Sequence, residues 1–260
     1  MGYEWVAFDV DGVLIDVRES YDIATKLTAE FFLGIFGRRG VVCLDHVRKL
    51  RLKGSFGDDF KVSEALVILA LAGDLGRIES LPDGVTIGEI RDEYGICLET
   101  EDVERVFNTF YLGEQFNGRA FPSRGLWRKE RPIVKRGLLR ELEKRYKTGV
   151  LTGRSRLELK LAEEIIGYRF KRAITRELYL KPDPRALWEL VGGEYGVYIG
   201  DTRNDELLVE NYRREYGEFD FIMAGRDVSN VNQAIEEILA LNKTAAGPDV
   251  LSENSLSERG

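Results

Sequence analysis

Between Pro132 and Leu241 short apolar runs alternate with amphipathic segments of helical period, and this alternation constrains the fold more than any other feature of the chain. Gly149–Leu151, Tyr195–Ile199, Phe219–Ala224 and, more weakly, Arg172–Thr175 each read as a buried strand entering a turn. Tyr3–Phe8 does the same ahead of Asp9-Val10-Asp11-Gly12. Helices are expected over Pro132–Tyr146, Arg154–Ile166, Pro182–Val191, Thr202–Arg214 and Val228–Leu241. Strands separated by single helices pair in parallel and need helices on both faces, so the expected class is α/β with a Rossmann-like parallel sheet.

Residues 17–128 break that rhythm. They read as amphipathic helices around 19–36, 41–53, 59–72, 86–95 and 101–113 with no clear strand between them, followed by a Gly- and Pro-containing exit over 117–125. The expected organisation is an α/β core from 1–16 and 129–241, an inserted all-helical module at 17–128, and a loosely ordered polar tail at 242–260.

Composition narrows the chemistry. Lys and Arg number 38 against 45 Asp and Glu, a formal charge of −7, which argues against a general nucleic-acid footprint. The longest apolar run, Ala65–Ala72, falls well short of the roughly 20 residues of a spanning helix, so no membrane partner is expected. The single histidine, His46, leaves almost no material for Ser-His-Asp, Cys-His or multi-histidine metal sites, and it is expected at the surface or in packing. Cys43 and Cys97 are expected as buried free thiols, and Trp5, Trp127 and Trp188 as packing residues. With no signal-like N-terminus, the expected location is cytoplasmic.

Ligands of open α/β sheets bind beyond the carboxyl ends of the strands. The residues following the expected strands are Asp9 and Asp11, then Thr152, then Asp201 and Asp205, with Lys181 just ahead of a helix. Any one of these is ordinary turn chemistry; four carboxylates, a hydroxyl and a lysine at successive strand ends are not.

These residues resemble the haloacid dehalogenase-like (HAD) hydrolases, most of which are phosphatases. The four motifs of that family stand in order as Asp9-Val10-Asp11-Gly12-Val13-Leu14-Ile15-Asp16, Leu151-Thr152-Gly153, Lys181-Pro182 and Gly200-Asp201-Thr202-Arg203-Asn204-Asp205. The resemblance covers nearly the whole chain except the tail, and it casts the helical insertion as a cap. It implies that Asp9 is a nucleophile forming an aspartyl-phosphate and that Asp11, two residues on, is the general acid and base. That requires Asp11 to hold a proton while Asp9 is ionised, a sharing that crowded carboxylates favour. Thr152 and Gly153 would cradle the phosphate at a helix N-terminus, where Thr152 could equally serve as N-cap. Lys181 would neutralise the phosphate and steady Asp9.

The same crowding implies Mg²⁺, held by Asp9, Asp201, the Asp11 backbone carbonyl and Asp205, the last directly, through a neighbour, or merely as a helix-capping residue. Gly12 is expected beside the substrate, and Arg154 either reaches it or faces solvent. Arg48, Lys49, Arg51 and Lys53 form a basic cluster ahead of Gly54–Phe60, a loop placed to close on substrate, with Lys53 the candidate contact.

An EF-hand is excluded by the apolar lead-in and a Gly at the fourth position. Asp11 and the helical insertion argue against a receiver-type phosphoacceptor module, and Asp11 also argues against a dehalogenase. The expected activity is a Mg²⁺-dependent phosphatase acting on a small phosphorylated metabolite, with a phosphomutase using the same residues, or a non-enzymatic phosphoacceptor module, as the alternatives.

Overall fold

The structure, a computed structural model, describes residues 2–245. In chain order the elements are β1 (Trp5–Phe8), β2 (Ile15–Asp16), α1 (Tyr21–Ile35), α2 (Leu44–Lys53), α3 (Asp59–Ala72), α4 (Ile87–Tyr94), α5 (Thr100–Tyr111), β3 (Arg131–Pro132) and α6 (Arg136–Glu143). They continue as β4 (Lys147–Leu151), α7 (Arg156–Ile166), β5 (Ala173–Ile174), α8 (Pro184–Val191), β6 (Gly196–Gly200), α9 (Arg203–Glu215), β7 (Asp220–Met223) and α10 (Val231–Ala245). The tail expectation for 246–260 lies outside the described residues; within 242–245 the backbone continues α10.

Two compact units emerge. One contains the chain up to Leu14, Ile133–Arg154 and the chain from Gly167 onward. Its parallel five-stranded sheet has the order β5-β4-β1-β6-β7, so connections leave β1 in both directions and the crevice that an α/β sheet offers a ligand lies at its carboxyl end. Every residue of β1 and β6 is buried, as central strands covered on both sides must be. Trp5, Ala7 and Tyr198 pack with Leu187, Leu190 and Val191 of α8 and Leu208, Val209 and Tyr212 of α9. Val6 and Phe8, also fully buried, point the other way by the two-residue period of a strand, toward the face covered by α6 and α10.

The second unit, Ile15–Pro132 with Ser155–Ile166, is helical. Its central helix α3 buries every residue from Val62 to Ala70, and a helix apolar on all sides is stable only when surrounded. The one buried carboxylate on that stretch, Glu64, accepts from Arg91 Nε at 2.8 Å and Nη2 at 2.7 Å, which meets the cost of taking it out of water.

The boundaries differ from those expected at 16/17 and 128/129. Ile15 and Asp16 pair antiparallel with Pro132 and Arg131, a two-residue ladder too short for a periodicity signal, and this ladder belongs to the helical unit. Pro132 is therefore in a strand and α6 starts only at Arg136. Helix α7, expected in the core, joins the helical unit because its Leu161 and Ile165 pack with Ala24, Phe107, Tyr111 and Trp127. Cys43 and Cys97 are free but exposed, at the N-cap of α2 and in the α4–α5 connection, where no core exists to bury them. Trp5 and Trp127 are buried, whereas Trp188 lies partly exposed against Tyr216. The His46 ring accepts the Cys43 backbone N–H at 3.3 Å as part of the α2 cap.

Candidate active site

Strand β1 ends at Phe8, and the Asp9 N–H donates to the Ile199 carbonyl at 2.9 Å, so the ladder with β6 carries Asp9 one residue beyond the strand. Helix α9 opens with Thr202 as N-cap. Its hydroxyl and N–H donate to Asp205 Oδ2 at 2.6 and 3.1 Å, a capping box that fixes Asp205 just past β6. Gly200 lets this happen, since a Cβ there would lie 2.4 Å from that of Asp205. Lys181 follows a turn after β5 and reaches both groups, with Nζ 2.8 Å from Asp9 Oδ1 and 2.6 Å from Asp205 Oδ1. The helix after it starts at Pro184 with Asp183 as N-cap, two residues later than expected.

Oxygens of Asp9, Asp201 and Asp205 lie within 4.8 Å of one another. Burial pushes the Asp9 carboxyl up to about 8 against the pull of Lys181, with Asp205 and Asp11 adding to the rise. Burial and Asp205 likewise push Asp201 up to about 6. Burial opposes the charge on Lys181, but Asp9 and Asp205 outweigh it and hold the ammonium protonated well above its ordinary range.

Asp11 has a partner of its own. The Arg154 guanidinium, with its side chain fully buried, approaches Asp11 Oδ1 to 2.7 Å through Nε and 2.6 Å through Nη2. Of the two expected positions for Arg154, the solvent-facing one is thus excluded, and its guanidinium serves Asp11. Thr152 is buried; its N–H donates to Ile174 O at 3.0 Å, and its Oγ1 accepts the Arg154 N–H at 3.2 Å. Thr152 is not an N-cap: α7 begins at Arg156, and Ser155 with Glu158 makes the capping box. Gly153 accordingly lies upstream of the helix rather than at its first turn. Gly12, with φ +74°, serves a steric purpose, because a Cβ there would fall 1.9 Å from Asp201 Oδ2.

The residues suit a divalent cation. Among the described residues Asp9 and Asp205 pair with Lys181 and Asp11 with Arg154, so four carboxylates share two cations. Asp201 Oδ1 is buried without a hydrogen-bond partner, an acceptor that a hard cation would satisfy. Both Asp205 oxygens already accept donors, so Asp205 supports the cluster more than it opens toward it.

The basic cluster of the helical unit is internally paired: Arg48 and Arg51 with Asp22, Lys49 with Asp45 and Glu79, and Lys53 with Asp83 at 2.8 Å. Lys53 thus has a carboxylate partner inside that unit. Phe56, in the loop expected to close on substrate, is buried in the helical unit's own core.

Sequence inspection missed Tyr198. Its hydroxyl donates to the Leu151 carbonyl at 2.9 Å and lies 3.3 Å from Asp205 Oδ1, tying β4, β6 and the site together. A tyrosine in the middle of an otherwise apolar central strand was the available signal, since a buried phenol needs a partner.

Together the fold and the site define an α/β protein that gathers four carboxylates and a lysine at its strand ends. No protein-family model matches it, and no curated protein does. Among solved structures it is similar to the phosphatase Tt82 from Thermococcus thioreducens, with 62% sequence identity and a TM-score of 0.86 over 91% of this chain and 99% of that one. Two more distant structures share the fold. A HAD-superfamily hydrolase of subfamily IA, variant 1, from Geobacter sulfurreducens has 16% identity and a TM-score of 0.51 over 92% and 96% of the two chains. CbbY from Rhodobacter sphaeroides, determined in complex with phosphate, has 14% identity and a TM-score of 0.50 over 85% and 87%. The chain belongs to one family with the phosphatase Tt82 and shares the fold of the HAD-superfamily hydrolases.

Proposed function

We propose that the protein is a Mg²⁺-dependent phosphatase of small phosphorylated metabolites that works through an aspartyl-phosphate on Asp9, with residues 15–132 acting as its cap. The observation that carries this reading is a buried Asp9 at the carboxyl end of β1, with Lys181 Nζ at 2.8 Å and the carboxylates of Asp201 and Asp205 beside it. An Asp9 oxygen attacks phosphorus in line, the bond to the leaving oxygen breaks, and the Asp11 carboxyl gives its proton to the departing alcohol. Asp11 then takes a proton from water as that water attacks the phosphorus, which frees phosphate and restores Asp9. Arg154 holds Oδ1 of Asp11 and so orients the group, the proton passed to the leaving oxygen is carried on Oδ2, and a cation beside Asp9 would favour the ionised nucleophile this step needs. Thr152 and the Gly153 N–H hold phosphate oxygens, Lys181 balances their charge, and Asp205 keeps Lys181 aimed at Asp9.

Asp9, Asp201 and the Asp11 backbone carbonyl would hold Mg²⁺, with Asp205 behind them. When bound, the cation offsets the charge of the carboxylates and of the incoming phosphate. Two free thiols agree with a reducing, cytoplasmic setting.

The test is phosphate release from p-nitrophenyl phosphate with Mg²⁺ and with EDTA, in the native chain and in Asp9→Asn. Hydrolysis that requires Mg²⁺ and vanishes in Asp9→Asn is the expected result. Turnover that survives Asp9→Asn would refute Asp9 as nucleophile.

A further inference from the structure

The helical unit contains a concavity of about 660 Å³ whose lining lies entirely within that unit. Its charges are uneven. Arg18, Arg48, Lys129 and Arg131 face Asp16 and Glu19 across a floor of half-buried Ile23 and Leu44. Arg18 and Asp16 neutralise each other through a bond of 2.9 Å from Nε to Oδ1. Arg48 is paired through its Nε with Asp22 at 2.9 Å, a carboxylate it shares with Arg51. Arg131 donates to the backbone carbonyls of Arg128 and Glu130 at 3.3 and 3.1 Å, which fixes the guanidinium in place without cancelling its charge. Lys129 and Glu19 make no hydrogen bond or ion pair among the described residues, and Glu19 acts on Arg18 only through its charge. Once these pairs are set aside, Lys129 and Arg131 face the single carboxylate of Glu19 across a concave wall, a shape that concentrates field.

We infer that this concavity binds the carboxylate or phosphate group of a small organic anion, with the carbon body of the ligand lying on Ile23 and Leu44. The volume is that of a metabolite site, and the mixture of an apolar floor with a few convergent charges is what such sites present. The anion has two possible sources: the far end of the phosphatase substrate itself, or a separate effector. Hydrolysis kinetics isolate the substrate source. That source rests on the phosphatase reading; the anion site as such does not.

Lys129→Gln and Glu19→Gln test the charge logic with opposite signs, since neither side chain makes a contact that folding would miss. Isothermal titration with malonate is expected to show binding that Lys129→Gln weakens and Glu19→Gln strengthens, each by about fivefold as a nearby screened unit charge would. A kinetic arm compares 2-carboxyethyl phosphate with the similarly sized propyl phosphate as the ratio of their kcat/KM values. A ratio above one that falls in Lys129→Gln and rises in Glu19→Gln assigns the anion to the substrate. A ratio near one in all three proteins, with malonate responding as above, assigns it to a separate effector. Malonate binding that both variants leave alike, or no binding together with a ratio near one, overturns the site. Loss of all hydrolysis while malonate still responds would sink the phosphatase reading and leave the site standing.

Discussion

Replacing Asp205 by Asn should destabilise the α/β unit more strongly at pH 5 than at pH 9. Asp205 is wholly buried; one oxygen accepts from Lys181 and lies 3.3 Å from the Tyr198 hydroxyl, and the other accepts from Thr202 Oγ1, Thr202 N and Asp201 N. Asn keeps one acceptor and turns an NH₂ donor toward either the ammonium or the α9 cap, so one side of the network faces donor to donor. Breaking a buried charge pair costs about 3–5 kcal/mol, and retention of Asp9 as a second partner of Lys181 places this change near 3 kcal/mol. At pH 5, below the value of about 8 to which burial lifts Asp9, Asp9 carries its proton and Lys181 depends on Asp205 for a counter-charge. At pH 9 Asp9 is ionised and takes over, while removal of the Asp205 charge also relieves Asp9 and Asp201. Urea denaturation without divalent cation at both pH values measures the difference, and about 3 kcal/mol corresponds to a fall in Tm of roughly 6–12 °C. A loss below about 1 kcal/mol at pH 5, or a larger loss at pH 9, would refute Asp205 as the residue that holds Lys181.

The cation-free protein should lose stability as pH rises from about 4 to about 8. Asp9 and Asp201 titrate higher folded than unfolded, so the native state holds the extra protons in that window, whereas the raised Lys181 loses its contribution only above the ordinary lysine range. Mg²⁺ should therefore raise Tm more at pH 8 than at pH 5; equal shifts would contradict the cluster as the metal site. Gly12→Ala forces a left-handed backbone costing about 1–2 kcal/mol and drives a methyl into Asp201, and it is expected to abolish the Mg²⁺-dependent rise in Tm. Tyr198→Phe removes one buried hydroxyl and should cost about 1 kcal/mol in urea while leaving kcat within a few-fold, since Asp205 retains its other donors. Arg154→Gln should alter the pH profile of kcat more than KM, because Arg154 acts through Asp11; an unchanged profile would count against that coupling.

Much of the site was legible because its parts are local. Asp9 and Asp11 sit where an apolar strand meets a glycine, Thr202 and Asp205 have capping-box spacing, and each strand announces itself by an apolar run. The helical periods between those runs made the parallel sheet legible as well. Boundaries slipped where tertiary pairing overrode the local pattern, as when Pro132 joined Ile15 in a ladder rather than opening α6.

What the sequence by itself determined is the order and chemical type of the groups at the sheet edge, since strand–turn–helix alternation obliges successive strand ends to meet there. Only the tertiary structure decided their pairings. Arg154 reaches Asp11 across 143 positions of sequence and Lys181 reaches Asp205 across 24. Glu64 finds Arg91, and the run Arg48–Lys53 meets acids drawn from several segments. Which of these charges are buried, and which are left over to act on a ligand, follows from desolvation and counter-charge, and both are set by residues that come together only when the chain has folded.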